Sequence, residues 1–157
     1  MPRVTSDSQM KSSELFKKRF NSLVAELDCS IYEFAEKAKV SRGVVTRAAI
    51  YGIIPSVRLL IKICDYLKVS LEYILGLTDT KYFEAAQEPS TFHARIEELR
   101  RENKTTYSKI GTHMPFDTNL FYDWQRVKTI PSLEYLIAIA RHFNVSIDYL
   151  LGRTDIK

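Results

Sequence analysis

Apolar residues along this chain recur at spacings of three and four rather than two, which predicts helices throughout. Leu15, Phe16, Phe20, Leu23, Val24 and Leu27 outline a first helix that Ser12 or Ser13 can cap. Ser30 followed three residues later by Glu33 is a capping-box signature, so a second helix of about two turns opens there with Ile31 and Tyr32. Ser41 offers the next cap. Behind it Val44, Val45 and Ala48 turn inward, while Arg42, Gly43, Thr46 and Arg47 turn outward. A fourth helix follows Pro55-Ser56, and a short fifth runs from Ser70 to Gly76, where glycine suits a left-handed cap.

The pattern then repeats. Pro55-Ser56 returns as Pro131-Ser132, and the stretch from Val69 to Asp79 returns as Val145 to Asp155, always 76 residues later. Carried back without a gap, the offset pairs Phe16 with Phe92, Arg19 with Arg95, Leu23 with Leu99 and Glu26 with Glu102, giving 17 identities over residues 16–79. Two unrelated helical segments would not share a start, a stop and every length between, so duplication is the reading. In the second copy Ser90 or Thr91 caps a helix with Phe92, Ile96 and Leu99 inward and Glu97, Glu98, Arg100, Arg101 and Glu102 outward. Asp117 caps the third helix, with Leu120, Phe121 and Trp124 inward and Thr118, Asn119, Tyr122 and Asp123 outward. The expected architecture is all-α: a flexible segment 1–12, a five-helix domain 13–79, a linker 80–91 and a second five-helix domain 92–157.

Composition fits two small folded cores, with 45% apolar and 27% charged residues and only five Gly and five Pro. Cys29 and Cys64 lack a metal-ligand spacing and read as buried structural thiols of a reduced, cytoplasmic protein. The chain has neither a signal-like apolar stretch near its start nor an apolar run long enough for a membrane span. His93, His113 and His142 are scattered, and neither a metal cluster, a phosphate-binding glycine loop nor a nucleophile-base pair is present, so no enzyme, metal or cofactor is expected. No small-molecule effector is evident either. A net charge of +4 and a pI near 9.0 permit phosphate contacts without requiring them.

Two short helices joined by a tight turn and followed by a further helical pair form the layout that sets its second helix in the DNA major groove. The run Ser41-Arg42-Gly43-Val44-Val45-Thr46-Arg47, then Pro55-Ser56, then Val69 to Asp79, resembles the lambda-repressor-like, Cro and xenobiotic-response-element type family of bacterial regulators. The second copy is similar to that family in its ending, Phe143 to Asp155, and in Trp124 as the apolar anchor closing the recognition helix. The resemblance implies two tandem domains of the lambda-repressor fold and a double-stranded DNA partner. This chain departs from the family pattern in two places. Ile31 and Tyr107 stand where Gln usually touches DNA, and Lys39 and Pro115 stand where the inter-helix turn usually has Gly, which implies a different turn geometry.

Under that resemblance, residues 41–49 and 117–125 are the recognition helices of a transcriptional regulator, a repressor. Candidate DNA contacts in the first copy are Lys39, Ser41, Arg42, Gly43, Thr46 and Arg47, since Arg can bond guanine bidentately and Gly allows close approach. In the second copy they are Lys109, Thr118, Asn119, Tyr122, Arg126 and Lys128, but Asp117 and Asp123 flank them and repel phosphate. Residues 16–79 carry +3 and residues 92–155 carry +1, which favours the first copy as the base reader. Three arrangements stay open. Both copies read adjacent half-sites; or the second copy mediates a homodimer through Phe116, Phe121 and Tyr122; or the fold serves a protein partner, as an antirepressor or antitoxin would, through Ile31 and Tyr107.

Overall fold

The computed structural model describes residues 12–157, and these are helical with no strand among them; one isolated bridge joins Ser12 to Ile53. Apart from Ser12, the segment expected to be flexible lies outside the described residues. The chain divides into two compact units, one ending at Phe83 and the other running from Glu84 to Lys157.

In the first unit α1 spans Glu14–Glu26, α2 Ile31–Ala38, α3 Arg42–Tyr51, α4 Val57–Leu67 and α5 Leu71–Ile74. Each start but one is fixed by a hydroxyl that accepts from the backbone three residues on: Ser13 from Phe16, Ser30 from Glu33, Ser41 from Val44 and Ser70 from Tyr73. Ser56 makes no such bond. At Ser30 the box is complete, because the Glu33 carboxylate accepts in return from the Ser30 N–H at 2.9 Å. One arc of α1 (Phe16, Phe20, Leu23, Val24) is buried, with the Phe20 ring edge-on to Phe34 at 5.6 Å. Each such side chain contributes about 1.5–3 kcal/mol by leaving water. Leu15 and Leu27, expected in this stripe, are 41% and 43% exposed: Leu15 lies a quarter turn off the buried arc and Leu27 follows the last helical residue. Cys64 is buried as expected, whereas Cys29 is only half-buried.

The α2–α3 turn keeps the left-handed geometry that glycine usually supplies. Lys39 holds φ 62° and ψ 45°, its side chain is exposed, and the following Val40 N–H donates to Ala35 at 3.0 Å with its own side chain buried. Burial of Val40 offsets the strain of order 1 kcal/mol at Lys39, so the different geometry expected from the missing glycine does not occur here.

In the second unit α6 spans Phe92–Glu102, α7 Tyr107–Gly111, α8 Asn119–Val127, α9 Leu133–Phe143 and α10 Ile147–Leu150. Both α9 and α10 start and stop 76 residues after α4 and α5. The segment that corresponds to α2 and α3 differs. Pro115 cannot take a positive φ, α7 ends at Gly111, and an irregular stretch leads to α8. Phe116 fills the space, with ring centroids 5.4 Å from Phe121, 5.2 Å from Trp124 and 4.6 Å from Tyr135. The α7–α8 crossing is close at Gly111, where a Cβ would lie 1.9 Å from the Thr118 hydroxyl oxygen.

A clamp on the terminal short helix occurs in both units at the same offset. Arg19 lies over the Tyr73 ring, 4.3 Å from its centroid, and pairs with Asp79 at 2.8 Å; Arg95 lies 3.9 Å from the Tyr149 centroid and pairs with Asp155 at 3.1 Å. Lys81 pairs with Glu26 and Lys157 with Glu102. The correspondence thus runs two residues past the segment recognised from sequence. Much of the expected linker is also fastened down. Ala86 N–H donates to Arg153 at 2.9 Å, Ser90 N–H to Gly152 at 3.1 Å, and the Thr154 hydroxyl to the Glu84 carbonyl at 2.7 Å.

Candidate nucleic-acid interface

On α3 the buried residues Val45, Ala48 and Ala49 fix which way the helix faces. That leaves Ser41, Arg42, Gly43 and Arg47 exposed on its outer side, Thr46 half-buried beside them and Lys39 exposed in the preceding turn. Ser41 is committed to its capping bond, 3.2 Å from the Val44 N–H. The Arg47 guanidinium folds back along the helix, so that a Cβ on Gly43 would lie 3.2 Å from its Nη1. Arg42 is held from the other side. Its guanidinium carbon stands 4.9 Å from the centroid of Tyr32, a residue of α2 that is 47% exposed and that sequence reasoning passed over. Together these residues form a cationic surface in which only the Arg47 side chain overlies Gly43, suited to phosphate oxygens and guanine edges.

The corresponding face of the second unit has different chemistry. Asn119 and Tyr122 are exposed, but Thr118 is half-buried against Gly111. The residue that flanks the start of α8 is Thr118, which makes no side-chain capping bond, and not Asp117 as expected; the Asp117 carboxylate accepts from the Asn119 N–H at 2.8 Å. Arg126 pairs with Asp123 at 3.0 Å, and Lys128 donates to Gln125 at 3.4 Å. Lys109 is exposed midway along α7. This face has three such cations, as many as the first, but Asp117 and Asp123 lie among them and Arg126 is paired with Asp123.

Tyr107, expected at the surface, is 8% exposed. Its ring stacks on Phe121 at 4.9 Å, and its hydroxyl donates to the Glu97 carboxylate, which also accepts from Arg100 at 2.6 Å. Burial chiefly, with Glu97 next, pushes the Tyr107 hydroxyl up to about 12; Arg100 chiefly, with Tyr107 next, holds the Glu97 carboxyl at about 2. Glu97, placed outside from sequence, is therefore a half-buried tie between α6 and α7. His93 is likewise half-buried, its Nε2 2.7 Å from the Thr129 carbonyl.

Residues 22–74, from within α1 to the end of α5, match the family model described as Helix-turn-helix. The chain is also 30% identical over 61 residues to the uncharacterized HTH-type transcriptional regulator YobD of Bacillus subtilis (strain 168), a match that covers 39% of this chain and 54% of that protein. The chain therefore spans about half the length of this curated relative. No solved structure matches it significantly. The matches point to a non-enzymatic, DNA-binding helix-turn-helix domain. No helix among the described residues is long and apolar enough to cross a membrane.

Proposed function

We propose that the chain is a cytoplasmic, sequence-specific double-stranded DNA-binding transcriptional regulator, a repressor, built from two tandem helix-turn-helix domains at 13–79 and 92–157 joined through 80–91. The observation that carries this reading is the helix-turn-helix match over residues 22–74, within which α3 bears the exposed Arg42, Gly43 and Arg47. The first unit is the principal base reader. In the second, Asn119, Tyr122, Lys109 and Lys128 supply auxiliary contacts, since the Asp123–Arg126 pair carries no net charge toward phosphate.

The test is selection of bound fragments from random duplex DNA, followed by salt titration of the winning sequence. Arg42→Ala and Arg47→Ala should each flatten the log–log salt slope by about one unit where they contact phosphate, or relax base preference where they read an edge. Failure to enrich any duplex at low salt would exclude the proposal.

A protein-partner function is the second reading, and it no longer draws on Tyr107, which is buried. Ile50 and Tyr51, 51% and 65% exposed at the end of α3, favour it instead. Copurification of a stoichiometric partner with a chain that enriches no duplex would select this reading.

A further inference from the structure

Arg42 and Tyr32 come from different helices, yet they meet at 4.9 Å on the surface that bears Arg47, the other cation of α3. A guanidinium stacked on an aromatic ring uses its face. Its N–H groups lie in the guanidinium plane and point outward from the rim, so stacking leaves them free to donate. We propose that Tyr32 is a positioning residue, holding the Arg42 guanidinium over its ring so that N–H groups directed away from the ring are set to meet a guanine in the groove before DNA arrives. An unsupported arginine at the start of a helix samples many rotamers and must give up that freedom on binding; a stacked one has already lost part of it, and preorganisation of this kind raises affinity and base discrimination together.

The second unit supports the pairing as a unit of function. Seventy-six residues on, Ser108 replaces Tyr32 and Thr118 replaces Arg42, so both partners are absent together from the copy whose recognition face is less cationic. Tyr32 is nearly half exposed and contributes little to the core, which gives its ring no comparable structural role.

This inference rests on the DNA-reading function proposed above, and a double-mutant cycle in the full chain separates the two. Against the selected duplex, Tyr32→Leu should weaken binding about twofold to fivefold and reduce discrimination at one base pair, while Tyr32→Phe keeps both. In an Arg42→Ala background Tyr32→Leu should add nothing. Should Tyr32→Leu lower the unfolding midpoint, Arg42→Lys, which keeps the charge but lacks a planar face, makes the same test. An equal loss from Tyr32→Leu with and without Arg42 would mean that Tyr32 touches DNA by itself, and an equal loss from Tyr32→Phe would mean that its hydroxyl matters; either result overturns the proposal. If the wild-type chain enriches no duplex, the DNA reading itself fails and this inference falls with it.

Discussion

Gly43 lies on the exposed side of α3, where an added methyl would meet only the mobile end of Arg47. The fold has no need of glycine there, and Gly43→Ala should raise stability by up to about 1 kcal/mol through helix propensity alone. The same methyl displaces Arg47 and stands between the backbone and the groove floor. Duplex binding should weaken by as much as the ~1–3 kcal/mol of a lost bidentate contact. Denaturant unfolding and duplex titration of one variant, moving in opposite directions, would establish that the glycine serves binding. Glu97 gives a prediction in pH. Its folded-state value of about 2 lies below the ordinary 4.5, so the stability it contributes is present above pH 4.5 and is lost as pH falls through 2. Glu97→Gln should therefore lower stability at neutral pH and flatten the acid limb between pH 4.5 and 2, as followed by Trp124 fluorescence. These residues also show what the sequence conceals. The outward side of α3 could be read from Val45 and Ala48. The burial of Tyr107 could not, because its partners Glu97 and Phe121 lie ten residues before it and fourteen after, and nothing local distinguishes it from an exposed first-turn residue.

Among the elements, α5 and α10 have four helical residues each, too few to hold a helix without tertiary support. The arginine clamp supplies much of that support. Arg95 is 5% exposed beneath Tyr149 while its partner Asp155 is largely in solvent, so Arg95→Ala should cost about 2 kcal/mol, mostly from lost packing and the cation–π contact rather than from a stranded charge. Asp155→Asn should cost far less, within about 0.5 kcal/mol, as expected of a pair with one exposed member. Chemical denaturation of the two variants separates these contributions. Element positions were readable because serine and threonine caps, Pro-Ser starts and Leu-Gly stops mark them locally. The clamp was not readable: Arg19 and Arg95 appeared as matched letters, and only the return of α5 and α10 onto α1 and α6 gives them their partners. The α7–α8 turn was legible in part. Pro115 announced a changed turn, but Lys39 in the first unit wrongly suggested one, since an exposed lysine can take the left-handed conformation when a buried Val40 anchors the next residue.

At the scale of the whole molecule, the two units share at one offset much of what folds them and differ in what each presents. Clamps, short helices and the Leu-Gly ends recur at one offset, whereas Arg42 becomes Thr118, Arg47 becomes Asp123 and Arg58 becomes Glu134. Two of these three changes reverse the sign of charge, so equal phosphate contact by both units would require the second to overcome its own repulsion. The salt dependence of the intact chain should consequently divide unequally. Arg47→Ala should remove about one unit of slope, whereas Arg126→Ala should remove less, because that guanidinium already lies beside Asp123. Asp123→Asn tests the same balance from the other side: with its carboxylate gone, Arg126 regains a net charge toward phosphate, and both affinity and slope should increase. A chain in which Arg126→Ala costs as much as Arg47→Ala, and Asp123→Asn changes nothing, would place the two units on DNA as equivalent readers.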